Sequence, residues 1–189
     1  SLLSKLGAPQ TNGSMGSREF QAAIAGGSAV QQPVARADTP PATLPELPPI
    51  NRDLYELVTK DAQLEAWVAE AKKLGVVAFD TETTGRDASI AGLCGISLST
   101  GPGRACYIPL DHKSSDDMFA ERPEQLSFAD AQRMLAPLFA DETVLKIAHN
   151  GKYDMTILAR HGFGHVAPLD DTIVMSFDLD SGQHNHGMD

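Results

Sequence analysis

Val76-Val77-Ala78-Phe79-Asp80-Thr81-Glu82-Thr83-Thr84-Gly85 is the most informative stretch of the 189-residue chain. Its first four residues form a short continuous apolar run, the type found in buried central strands. Along an extended strand, residues two apart point to the same side, so Asp80 and Glu82 project together from its end. Two carboxylates held that close raise each other's pKa unless a cation sits between them. A hard divalent cation with oxygen ligands is the natural partner for such a pair. A turn-capping Asp80 beside a solvated Glu82 is the simpler arrangement that the same residues allow.

Upstream, Leu57, Leu64, Trp67, Val68, Ala71 and Leu74 approximate a helical stripe, which predicts a helix over Thr59 to Leu74. Thr59 or Asp61 is the expected cap, Gly75 the stop, and Trp67 a core anchor. Downstream, two strands are expected at Gly92 to Ser99 and Arg104 to Pro109, joined by Thr100-Gly101-Pro102-Gly103. Residues Asp111 to Gln125 are polar and read as loop. Ser127 then opens a helix with Ala131, Met134, Leu135, Leu138 and Phe139 on one face, and Val144 to Ala148 supplies a fourth strand. Two helices follow, at Gly151 to His161 and Asp171 to Leu179, with Asp170 or Asp171 capping the second. Helix, three strands, helix, strand, helix marks an α/β domain with a mixed sheet.

A second acidic signal lies just after the fourth strand, in His149-Asn150-Gly151-Lys152-Tyr153-Asp154. It places Asp154 in the first turn or so of a helix. If the first and fourth strands are parallel neighbours, both motifs open at the sheet edge where α/β folds place their ligands. Three carboxylates then converge there. Asn150 and Tyr153 are candidate contacts for a substrate, with capping and core packing as the alternatives. Lys152 either reaches a phosphate or is solvated, and Thr83 and Thr84 either line a pocket or make a simple turn. His184 and His186 alternate along a Gly- and Asp-rich stretch, which does not by itself make a metal pair.

Residues 1–50 differ from the rest. Gly, Ser, Gln, Ala and Pro dominate them, and six of the chain's 12 prolines lie between Pro33 and Pro49. A stiff, disordered linker is expected there, ahead of a domain over 51–189. With 15 basic and 25 acidic residues the net charge is −10. Residues 1–74 carry 7 basic and 8 acidic groups, and residues 75–189 carry 8 and 17, so −9 of the charge lies in the second part. Such a balance repels polyanions unless metal ions intervene. No run of about 18 to 20 apolar residues is present and no secretory leader is evident, so a soluble cytoplasmic protein with no membrane contact is expected. Cys94 and Cys106 have neither a disulfide framework's number nor a zinc site's spacing, and are expected to be reduced thiols.

Phe79 to Gly85, followed about 70 residues later by His149 to Asp154, resembles the first two motifs of the 3′–5′ exonuclease domain of bacterial DNA polymerase I. Ala105 to His112, Asp171 to Phe177 and His186 to Asp189 also look like that domain. The resemblance covers about Ile50 to the end. It implies a ribonuclease H-like mixed sheet flanked by helices, incomplete at the C-terminus, and hydrolysis of the 3′-terminal phosphodiester of single-stranded DNA with two Mg²⁺ or Mn²⁺ ions. By resemblance Asp80 bridges both ions, Glu82 binds the one that activates water, and Asp154 holds the second. Thr83, Asn150 and Tyr153 are the implied substrate contacts, and a polymerase domain is implied on the same parent chain.

The family's third motif, Tyr-x-x-x-Asp on a later helix, is not found after Asp154. Tyr107 to Asp111 spells it, but on a strand, with Pro109 inside and ahead of the second motif. His112 to Asp117 and His149 to Asp154 spell the His-x-x-x-x-Asp of histidine-type relatives, again in the wrong order. The expectation is a domain truncated before its third motif, with weak or absent nuclease activity. Two alternatives compete: a catalytically inactive platform for an adjoining polymerase, and a ribonuclease D-like RNA exonuclease. Retention of all three carboxylates argues against the first, and Tyr107-Ile108-Pro109-Leu110-Asp111-His112 against the second.

Overall fold

The computed structural model describes residues 49–113, 123–180 and 185–188. The chain divides into two units, Ser1–Pro45 and Glu46–Asp189, and every described residue belongs to the second. Nearly all of the expected linker, the middle of the Asp111 to Gln125 loop, Asp117, His184 and Asp189 lie outside the described residues.

A short 3₁₀ turn at Arg52–Leu54 leads into strand β1 (Glu56–Leu57), helix α1 (Asp61–Leu74) and strands β2 (Val76–Thr83), β3 (Leu93–Gly101) and β4 (Arg104–Pro109). Helix α2 (Phe128–Phe139), strand β5 (Leu145–Ala148), helix α3 (Gly151–Arg160), strand β6 (Leu169–Asp171) and helix α4 (Thr172–Asp180) follow. The six strands form one sheet in the order β1-β4-β3-β2-β5-β6. β2 is antiparallel to β3 and parallel to β5, which is in turn parallel to β6. This is the mixed, ribonuclease H-like sheet that the resemblance implies. Because β2 and β5 run the same way, the residues after each emerge at one edge of the sheet.

β2 departs from the expectation of a four-residue run buried on both faces. It extends through the acidic residues to Thr83, and its burial alternates. Val77, Phe79 and Thr81 are buried, Val76 and Ala78 are half-buried, and Asp80 and Glu82 are exposed. The reason is that the helices cover the Phe79 face: Phe79 meets Phe139 of α2 at 5.2 Å between ring centroids. Leu64, Trp67 and Ala71 of α1, Leu135 and Leu138 of α2, and Ile157 and Leu158 of α3 complete that core.

The helix ends are set by local chemistry. α1 begins at Asp61, and neither Thr59 nor Asp61 caps it as expected; instead the Gln63 side chain reaches back and accepts from the Thr59 and Lys60 amides, both at 3.0 Å. Gly75 ends α1 at φ 71°, a left-handed position that glycine takes without steric cost. Ser127 caps α2 by accepting from the Asp130 amide at 3.1 Å, and the five residues expected on its inner face are its buried residues. β1 and β6, of two and three residues, were not foreseen because such short pairings leave no periodic trace. Trp67 is in the core, its Nε1 donating to Glu56 Oε2 at 3.0 Å and the Arg104 guanidinium 4.0 Å above its ring. Both cysteines are free thiols, Cys106 buried and Cys94 half-buried. Among the described residues no helix is long and apolar enough to cross a membrane.

Candidate active site

Asp80 and Glu82 point to the side of β2 opposite the core packed by α1, α2 and α3, because the strand's period of two sets them opposite Phe79 and Thr81. Across the sheet Asp80 is in register with Ser97 and Glu82 with Gly95. Gly95 leaves room that Tyr107 fills; a Cβ there would lie 2.0 Å from the Tyr107 hydroxyl. That hydroxyl meets His112 Nε2 at 2.6 Å, so Tyr107 pairs with a histidine just beyond the end of β4. Burial, with Glu82 adding to it, pushes the Tyr107 phenol up to about 12. Beside Asp80, a cleft of about 270 Å³ opens between Ser97 and Ser99 on one side and Ile147 and His149 on the other.

The third carboxylate arrives from α3. β5 passes to α3 through His149 and Asn150 alone, with Asn150 at φ 63°, a left-handed conformation that Asn tolerates better than most residues. Gly151 fits because the chain there passes against Ala148 and Leu169, where a Cβ would come within 2.9 Å of Ala148 Cβ. Asp171, at the end of β6, accepts from the Asn150 and Gly151 amides at 2.9 Å each and from the Ile173 amide at 3.1 Å. It thereby caps α4, as expected, and also fixes the start of α3. Asp154 is buried, and its Oδ1 accepts from both the amide (3.0 Å) and the hydroxyl of Thr81.

The three carboxylates therefore lie near the same end of β2 without being gathered into one cluster. Asp80 and Glu82 lie on the open face, whereas Asp154 is anchored to Thr81, whose side chain faces the helices. Among the described residues no three of His, Cys, Asp and Glu are gathered as a metal-holding group. The electrostatics nonetheless link Asp154 to its neighbour: burial, with repulsion from Asp80, pushes its carboxyl up to about 6. Oxygen donors with excess negative charge are what a hard cation requires, so Asp80, Glu82 and Asp154 fit a divalent ion by donor chemistry.

Tyr153 is half-buried, and its hydroxyl is 2.7 Å from Thr83 Oγ1 and donates to the Gly85 carbonyl at 2.5 Å. Thr83 also bonds Gly85 at 2.9 Å, so both candidate contacts brace the loop after β2. Asn150 is exposed, and its side chain caps nothing.

Residues 55–189 match the family model described as 3′–5′ exonuclease, and the match takes in all three carboxylates. The chain belongs to that family. DNA polymerase I of Rhizobium leguminosarum is 39% identical over 153 residues, covering 75% of this chain and 15% of the relative. DNA polymerase I of Pseudomonas aeruginosa is 34% identical over 142 residues, 71% of this chain and 14% of the relative. The exonuclease chain thus spans a small part of the length of the curated relatives it matches. The RNase domain of the yeast Pop2 protein has the same fold, with a TM-score of 0.56 at 10% identity over 76% of this chain and 77% of that one.

Several residues of this exonuclease domain that shape the site were not foreseen. Thr81 carries no signal of its own between two acids, and only the strand's alternation places it where Asp154 arrives. His149 bonds Thr172 Oγ1 through Nδ1 at 2.8 Å, across a contact between segments 23 residues apart. Arg160 donates to the carbonyls of Ala88 and Ala91, holding the loop after β2 against α3.

Proposed function

We propose that the chain is the proofreading 3′–5′ exonuclease module of a cytoplasmic DNA polymerase I, removing nucleotides from single-stranded DNA 3′ ends, with a polymerase domain on the same parent chain. The observation that supports this reading most strongly is the family match across 55–189, with Asp80, Glu82 and Asp154 all delivered to one end of the central strand. Asp80 and Glu82 are the side chains free to hold two divalent ions, Mg²⁺ or Mn²⁺, from the open face. Asp154 joins from the other side, oriented by its two bonds to Thr81. Bound there, such ions supply the Lewis acidity that lowers the pKa of an attacking water and stabilises the leaving 3′ oxygen. They also cancel part of the negative charge that otherwise repels DNA. Tyr153 and Thr83 hold the loop that borders the terminal nucleotide, and Asn150 offers an exposed amide beside it.

The test is digestion of a 5′-labelled single-stranded oligonucleotide by this chain with Mg²⁺ or Mn²⁺. Weak, successive shortening from the 3′ end that stops with Asp80→Ala is the expected outcome. Internal cuts, or shortening indifferent to Asp80→Ala, overturn the reading.

A further inference from the structure

In a domain this acidic, unpaired cations are informative, and most of the well-placed ones are already engaged. Arg104 pairs with Glu70 and Glu56, Arg133 with Asp61 and Asp130, and Arg160 holds two backbone carbonyls. Lys146 is buried against the carbonyls of Asp141, Val144 and Ala167. Arg86 and Lys152 differ: both are exposed, and among the described residues neither side chain has an ion pair or hydrogen bond.

They also share a site. Arg86 lies on the loop after β2 and Lys152 in the first turn of α3, and together they line an open basin of about 590 Å³ with Asn150, Tyr153 and Thr156. Asp87 borders the same basin, but its carboxylate is turned into its own loop, accepting from the Ser89 amide at 2.9 Å and the Ser89 hydroxyl at 2.6 Å. The basin is therefore net positive, against −9 for residues 75–189. Its two walls are tied together. At one end of the loop, Gly85 accepts from Tyr153; at the other, Ala88 and Ala91 accept from Arg160. Both anchors stand on α3, so the loop cannot carry Arg86 away from Lys152 without breaking them. A preformed pair of cations loses little freedom on meeting a polyanion.

We propose that Arg86 and Lys152 form a phosphate anchor for the single strand, gripping the DNA backbone next to the carboxylate end of β2. The anchor rests on the exonuclease reading above and adds to it the residues that bind the strand without touching the reacting bond. The two exposed cations, set in an open basin lined also by Asn150 and Thr156, suit a phosphodiester backbone read by charge, without base selectivity.

The test measures binding of a short 5′-fluorescein-labelled oligodeoxythymidylate by fluorescence anisotropy across a range of NaCl concentrations in Mg²⁺, in an Asp80→Ala background that keeps the strand intact. Two neutralised phosphate contacts contribute a slope of about −1.4 to log affinity against log salt for a single strand. Arg86→Gln with Lys152→Gln is expected to weaken binding at low salt and flatten the slope by about that amount. Lys72→Gln with Lys73→Gln, on the far end of α1, is expected to leave both unchanged. An unchanged slope in the Arg86/Lys152 variant overturns the anchor, and the exonuclease reading survives if the chain with Asp80 intact still shortens 3′ ends. If the slope falls as expected but no Asp80-dependent shortening is found, the anchor stands and the exonuclease reading fails.

Discussion

Asp154 stores an electrostatic cost that only a cation or a proton relieves. Its carboxyl is pushed from the ordinary range up to about 6 by burial and by Asp80, while two bonds from Thr81 oppose the shift. A raised carboxyl pKa means that the folded state holds the proton more tightly than the unfolded state. Stability from this group is complete below about pH 4 and is lost as pH rises through about 6. Asp154→Asn keeps an oxygen that accepts from Thr81 and removes the charge. In metal-free buffer the variant is expected to exceed the parent chain in stability by on the order of 1–2 kcal/mol near pH 7.5, and by much less near pH 4.5. Urea denaturation at the two pH values checks this, and a gap that does not grow with pH contradicts it. At this scale the sequence carried Asp80 and Glu82 well, because a strand's period of two is local. It carried the partnership of Thr81 with Asp154 poorly, because that depends on how α3 is brought against β2, 73 residues away.

Elements with an apolar period were legible, and those held by backbone chemistry were not. α2 reads from Ser127 through its five inward residues because cap and stripe agree. β6 is three residues long and is held by pairing with β5, whose Lys146 turned out to be buried. A lysine within Val144-Leu145-Lys146-Ile147-Ala148 looks like a solvent-facing residue, yet its ammonium satisfies three carbonyls, from the turn before β5 and from Ala167 ahead of β6. Desolvation lowers its pKa, and those carbonyl bonds are what keep it in place. Lys146→Met preserves most of the side-chain volume and leaves the carbonyls without a donor. A loss of about 2–3 kcal/mol in urea denaturation is expected. A loss below about 0.5 kcal/mol, the range of an ordinary surface substitution, contradicts the role given to Lys146.

Over the whole molecule, charge and architecture converge on one end of the sheet. Parallel β2 and β5 send both acidic motifs to the same edge, α1, α2 and α3 seal the Phe79 face, and the opposite face leaves Asp80 and Glu82 open. The net −9 of residues 75–189 would repel a nucleic acid, so strand binding needs bound cations at the carboxylates and the Arg86 and Lys152 basin to answer part of it. The most direct measurement is Mn²⁺ binding followed by electron paramagnetic resonance, on this chain and on its Asp80→Ala variant. Saturable binding that weakens by at least about tenfold on losing Asp80 is the expected result. Equal Mn²⁺ affinity in the two proteins would contradict a metal site built on the carboxylates of β2.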